Sequence, residues 1–182
     1  PVHLDGARIF NAAVALGVPA TDLTAEVDSV SFCFSKGLSA PIGSALCGSF
    51  EFIERARKWR KMLGGGMRQV GVLAAAGIIG LEQMIPRLAE DHENAQRLAK
   101  GLANVPGIVI NPASIQTNIV FFEWQGGPGQ EFLAKVNERG LKISGAAPRF
   151  RMVTHWGING EDVEEALEII EAAAKEATAA KV

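Results

Sequence analysis

The sequence predicts an α/β fold in two parts, on three observations. It opens on a strand-to-helix unit, its middle is helical through an apolar and then a polar stretch, and from Ile108 it changes to short strands interleaved with two helices. Residues 1–85 are expected to form part of a large α/β domain, 86–105 a linking helix, and 106–182 a small α+β C-terminal domain.

Pro1 to Gly6 has the pattern of a strand ending in a turn, and because no leading segment is there to pair with it, the chain is expected to begin inside a fold. Ala7 to Leu16 carries Ile9, Ala12, Ala13 and Leu16 at helical spacing and stops at Gly17, with Pro19 beyond. Val27 to Phe34 and Ala45 to Gly48 are short and apolar enough for strands, separated by the Ser35-Lys36-Gly37 turn and the Pro41 and Gly43 breaks. Phe50 to Leu63 is an amphipathic helix with five basic residues, closed by Gly64-Gly65-Gly66. Val70 to Met84 is apolar nearly all round and contains Gly71, Gly77 and Gly80, which suits a buried or subunit-interface helix. Pro86 then opens a polar helix to about Ala103, closed by Pro106-Gly107. Beyond it come strands at Ile108–Ile110, Thr117–Glu123, Leu141–Ser144 and Arg151–Thr154, and helices at Pro128–Arg139 and Glu161–Ala180. Asn159 is placed to cap the last helix, with Asp162 three residues on.

Composition narrows the function classes. With 18 Lys+Arg against 20 Asp+Glu the net charge is −2, which gives no electrostatic reason to seek nucleic acid or an anionic membrane. No run reaches the roughly 18 uninterrupted apolar residues of a membrane span. Cys33 and Cys47 are the only cysteines and lack metal-site spacing, so no zinc site or disulfide framework is expected and a cytoplasmic location follows. Both are expected to be buried small apolar residues.

Chemistry concentrates in the first 70 residues. Asp5 ends a strand ahead of Gly6-Ala7-Arg8, Lys36 sits in a turn after a second strand, and Lys61 and Arg68 flank a glycine-rich turn. Pyridoxal 5'-phosphate needs such a set: an amine for its aldehyde, a carboxylate against the pyridinium nitrogen, and cationic or N–H-rich surface for its phosphate.

Three segments make the pattern specific: His3 to Ala13 (HLDGARIFNAA), Ser31 to Ser44 (SFCFSKGLSAPIGS) and Arg60 to Gln69 (RKMLGGGMRQ), followed by Asp91 to Ala95 and Arg151 to His155. In order and spacing they resemble the low-specificity L-threonine aldolases, fold-type-I pyridoxal phosphate enzymes of the beta-eliminating lyase group. The resemblance covers essentially the whole chain. It implies that Asp5 pairs with the pyridine nitrogen, that Lys36 bonds the cofactor's aldehyde carbon, and that Arg8 and Arg151 hold the substrate carboxylate. It also implies that Lys61 and Arg68 approach the phosphate across a subunit interface of a homo-oligomer, a dimer or tetramer. The implied reaction is cleavage of threonine or allo-threonine to glycine and acetaldehyde, with β-elimination by a related lyase, or a scaffold role without catalysis, as alternatives. The family's N-terminal strands and its stacking histidine have no counterpart here.

Plainer roles stand beside these. Asp5 could cap the following helix, Lys36 could be a solvated turn lysine, and the arginines and Lys61 could be surface charges. His3 shares a strand face with Asp5 but reads as a structural histidine, as do His92 and His155.

Overall fold

The computed structural model describes residues 1–179 and divides into two compact units, Pro1–Ala89 and Glu90–Val182. The boundary falls inside the helix expected to link the parts.

The first unit is built on a three-stranded sheet in the order β1 (His3–Asp5), β2 (Ser29–Cys33), β3 (Ser44–Gly48), parallel between β1 and β2 and antiparallel between β2 and β3. Among the described residues no strand lies beside the outer edge of β1. Helix α1 (Ile9–Leu16) ends where Gly17 takes the left-handed conformation, φ 67°. Helix α2 (Phe50–Met62) is capped by Ser49, whose Oγ accepts from the Phe52 N–H at 3.3 Å.

The segment expected as one helix over Val70–Met84 comprises α3 (Gly71–Ile79) and a π-helical turn, Gly80–Met84, which runs on into α4 (Ile85–Leu102). A β-carbon on Gly80 would lie 2.9 Å from the Leu38 carbonyl oxygen, so only glycine lets this turn approach the backbone after Lys36. Of the two roles expected for α3, burial is not observed: Val72 is 80% exposed, and Ile78 and Ile79 are also exposed. The helical run from Gly71 to Leu102 is long and apolar enough, by length and composition, to cross a membrane. Its second half instead buries Ala95, Leu98, Ala99 and Leu102 in a protein core.

The second unit is an antiparallel sheet in the order β4 (Ile108–Val109), β5 (Ile119–Trp124), β7 (Arg149–Val153), β6 (Ser144–Ala146), with helices α5 (Gly129–Glu138) and α6 (Gly160–Ala179). Alternation along β5 buries Val120, Phe122 and Trp124, joined by Phe150 of β7 and by Phe132 and Val136 of α5. Trp124 stacks on Phe132 with ring centroids 4.4 Å apart. A β-carbon on Gly126 would fall 2.4 Å from the Trp124 ring, so glycine there leaves room for the indole.

The strand expected at Thr117 starts at Ile119, because buried Asn118 donates its side-chain N–H to the Thr154 carbonyl at 2.8 Å. The strand expected at Leu141–Ser144 lies at Ser144–Ala146, its position set by pairing with β7. The capping expectation for α6 holds: Asn159 Oδ1 accepts from the Glu161 and Asp162 N–H groups at 2.7 and 3.1 Å, and Asp162 Oδ2 accepts from the Asn159 N–H at 2.8 Å. The expected last residue of that helix, Ala180, lies outside the described residues.

Candidate active site

Parallel pairing fixes where the two central residues stand. The register His3 to Ser29, Leu4 to Val30 and Asp5 to Ser31 brings β1 and β2 to an end on one edge of the sheet. Asp5 is the last residue of β1, and Lys36 follows the end of β2 by three residues. The carboxyl ends of parallel strands are where open α/β sheets collect ligands, since the chain turns away there and leaves a crevice.

The backbone around Lys36 is anchored while its side chain is free. Phe34 donates to the Gly43 carbonyl at 2.9 Å, Ala40 to the Phe34 carbonyl at 3.1 Å and Ser39 to the Lys36 carbonyl at 2.9 Å. Gly37, Leu38 and Ala40 are buried, whereas Ser35 and Lys36 are exposed. Ser39 sits in the left-handed region at φ 58°, a conformation uncommon without glycine and one met at ligand-binding loops. An accessible amine on a fixed support results.

Asp5 does not cap α1. The N-cap position belongs to Arg8, and Asp5 Oδ1 accepts the Ala7 N–H at 3.2 Å, closing a short turn directly after the strand. Ala7 is tied to the second strand through its carbonyl, which accepts from the Cys33 N–H at 3.3 Å. Asp5, Arg8 and Lys36 are thus carried by segments that leave the same sheet edge. A cation at a helix N-terminus opposes the macrodipole, so stabilising α1 is no explanation for Arg8.

The other predicted residues stand elsewhere. Lys61 is exposed in the last turn of α2, its stem along the glycine turn, where a β-carbon on Gly66 would lie 2.9 Å from Lys61 Cδ. Arg68 is exposed in the following loop. Among the described contacts neither touches Asp5 or Lys36. Arg151 belongs to β7 of the second unit, where its Nε is buried with no hydrogen-bond partner and the side chain lines a cavity of about 490 Å³. The donors present fit pyridoxal phosphate at its ring nitrogen and aldehyde, through one carboxylate and one accessible amine on a common edge.

Two polar clusters escaped the sequence reading. His3 bridges Ser29 and Ser31 on the strand face of Asp5, a grouping the two-residue alternation of Ser29 and Ser31 could have signalled. In the second unit Thr154, fully buried, donates to the Asp91 carbonyl at 2.6 Å and joins Asn118. No local pattern announces a bond over 63 residues. Beside it, burial holds the His92 imidazole below its usual pKa, with the Asp91 charge pulling the other way. The cysteines are not the buried residues expected: Cys33, at the end of β2, is half-buried, and Cys47 is exposed on β3, where only Ala45 is half-buried.

Against known proteins, a sequence model of the beta-eliminating lyases matches residues 1–125. The chain belongs to the beta-eliminating lyase family. It is 45% identical over 170 residues to "Low-specificity L-threonine aldolase 1" of Arabidopsis thaliana, covering 91% of this chain and 48% of that protein. To the "Low specificity L-threonine aldolase" of Escherichia coli it is 44% identical over 168 residues, covering 90% and 48%. The chain therefore spans about half the length of the curated relatives it matches. Among solved structures it is similar to a putative L-allo-threonine aldolase of Listeria monocytogenes, with TM-score 0.77 at 23% identity over 94% of this chain and 51% of that one. A serine palmitoyltransferase of Sphingomonas wittichii superposes with TM-score 0.71 at 21% identity, over 88% and 43%. This member of the beta-eliminating lyase family shares the fold of these neighbours, the type-I fold that the sequence predicts.

Proposed function

We propose that the chain forms the lysine- and aspartate-bearing part of a pyridoxal-phosphate-dependent aldolase that cleaves L-threonine or L-allo-threonine to glycine and acetaldehyde. The observation that supports this is the register of β1 and β2, which ends both strands on one edge of the sheet, from which the segments carrying Asp5 and Lys36 leave. The match to the beta-eliminating lyase family spans residues 1–125, which include both.

When bound, the cofactor supplies an electron sink for the pair left on Cα as the Cα–Cβ bond breaks. Asp5 would face the ring nitrogen, where a carboxylate favours the protonated, electron-poor form of the ring. Lys36, an exposed amine on an anchored loop, would hold the cofactor by its aldehyde carbon. Arg8 and Arg151 bind the substrate carboxylate through paired N–H groups, which orients the bond to be cleaved. A base takes the β-hydroxyl proton; no described residue is assigned that task.

The working molecule is a homo-oligomer, a dimer or tetramer, in which Lys61 and Arg68 serve the phosphate of a neighbouring copy's cofactor. Support comes from the exposed apolar surface of α3 and of the turn before it, with Leu63 80% and Val72 80% exposed beside the basic end of α2. The role is amino-acid metabolism, supplying glycine and consuming threonine, in a reducing cytoplasm compatible with two free cysteines.

Borohydride trapping with pyridoxal phosphate, followed by peptide mass analysis, tests the assignment. The pyridoxyl adduct is expected on Lys36 and lost in Lys36→Ala; an adduct elsewhere, or none on the folded chain, overturns it. Incubation of the full-length protein with threonine is expected to release glycine and acetaldehyde. Release of a keto acid and ammonia instead would mark a β-eliminating enzyme.

A further inference from the structure

One face of the first sheet carries more than Asp5. His3 and Asp5 flank Leu4, so both project from the same face of β1, and parallel pairing sets Ser29 opposite His3 and Ser31 opposite Asp5 on that face. His3 Nδ1 lies 2.9 Å from Ser29 Oγ, and His3 Nε2 lies 3.4 Å from Ser31 Oγ. The ring thus spans two strand positions and ends at the hydroxyl next to Asp5.

A neutral imidazole has one N–H and one lone pair, so this chain of bonds has two polarities. In one, Nδ1–H donates to Ser29, and Ser31 spends its proton on Nε2. In the other, Ser29 donates to Nδ1, Nε2–H donates to Ser31, and the Ser31 proton is released toward the nearest acceptor. The acceptor this polarity requires is Asp5, the register partner of Ser31 on that face, which has accepting capacity beyond the Ala7 N–H. A charged carboxylate selects the second polarity, because every O–H and N–H dipole then points toward the negative charge and each bond strengthens the next.

We propose that His3 is a positioning residue for Asp5: as the Nε2–H tautomer held by Ser29, it turns the Ser31 hydroxyl onto the Asp5 carboxylate and keeps that group oriented for the cofactor's ring nitrogen. No proton is transferred; the relay acts by orientation. The proposal rests on the reading of Asp5 given above.

Long-range proton–nitrogen correlation on the ¹⁵N-labelled 182-residue chain without cofactor reads the tautomer directly. Protonated Nε2 is expected, with mixing of the two tautomers in Ser29→Ala; a dominant Nδ1–H form overturns the proposal whatever Asp5 does. Titration with pyridoxal phosphate, followed by absorbance, gives the second arm. Ser31→Ala and His3→Ala are expected to weaken binding about tenfold and to shift the cofactor band, as loss of a bond to a charged group does. His3→Gln, which keeps an N–H at the Nε2 position, is expected to bind within about threefold of the unaltered chain. Wild-type binding by Ser31→Ala alongside loss in Asp5→Asn would overturn the role of His3 and leave that of Asp5 standing. Unchanged binding and spectrum in Asp5→Asn would remove the Asp5 reading, and the proposal with it.

Discussion

Gly37 and Leu88 approach so closely that a β-carbon on the glycine would stand 2.8 Å from Leu88 Cδ2, and 3.0 Å from Asn11 Oδ1. The residue next to Lys36 is therefore wedged against the first turn of α4, with Leu88 fully buried. Gly37→Ala is expected to cost about 1–3 kcal/mol by overpacking. Because the strain is applied beside Lys36, adduct formation in the trapping experiment should fall more than the melting temperature alone implies. Parallel measurement of both in Gly37→Ala and in a distant variant of equal stability checks it.

The Thr154 hydroxyl is buried and satisfied by the Asp91 carbonyl. Thr154→Val keeps the shape but removes the hydroxyl's bond to that helical carbonyl, with an expected loss of about 0.5–1.5 kcal/mol. Denaturant unfolding followed by Trp124 fluorescence reads it, and a loss below a few tenths would mean that Asp91 finds another partner.

His92 gives a pH signature of known sign. Its folded pKa lies below the ordinary 6.5 because burial disfavours the cation, so the unfolded chain binds the extra proton first. Stability from this group is complete above pH 6.5 and declines as the pH falls from there toward the folded value. His92→Gln should flatten that part of the stability-against-pH curve relative to the unaltered chain; parallel curves would show that His92 does not titrate differently on folding.

The Trp124–Phe132 stack joins β5 to α5 at the centre of the second unit. Phe132→Ala is expected to cost about 3–5 kcal/mol, the range for removing a fully buried aromatic ring. Hydrogen exchange should show the loss concentrated in residues 90–179.

Arg151→Lys keeps the charge but gives up the paired guanidinium donors. In the full-length protein it is expected to raise the KM for threonine about tenfold or more while cofactor capture at Lys36 is unchanged. A normal KM would place the carboxylate elsewhere and leave the buried Arg151 Nε without a ligand to explain it.

Local signals were enough for most elements of this chain. Gly17 and the Asn159–Asp162 box are terminators and starters that act within a few residues, and the alternation of Val120, Phe122 and Trp124 states which face of β5 is buried. The motif around Asp5 and Lys36 was equally legible, because a carboxylate ending one strand and a lysine beyond the next are chain-local facts. Legibility failed where a distant group decides the outcome. Asn118 reads as strand until Thr154, 36 residues later, claims its side chain, and Cys47 reads as core until the sheet leaves its strand uncovered.

What the sequence determined by itself was thus the order of elements and the family to which the chain belongs, since each is written in spacing and residue type. The tertiary structure alone decided that β1 and β2 run parallel and in the register that sets Ser31 beside Asp5 and His3 beside Ser29. It likewise decided that α3 turns its apolar side outward. Register and exposure are set by the summed packing of residues far apart in the chain, where a slip of one position would send every side chain to the opposite face.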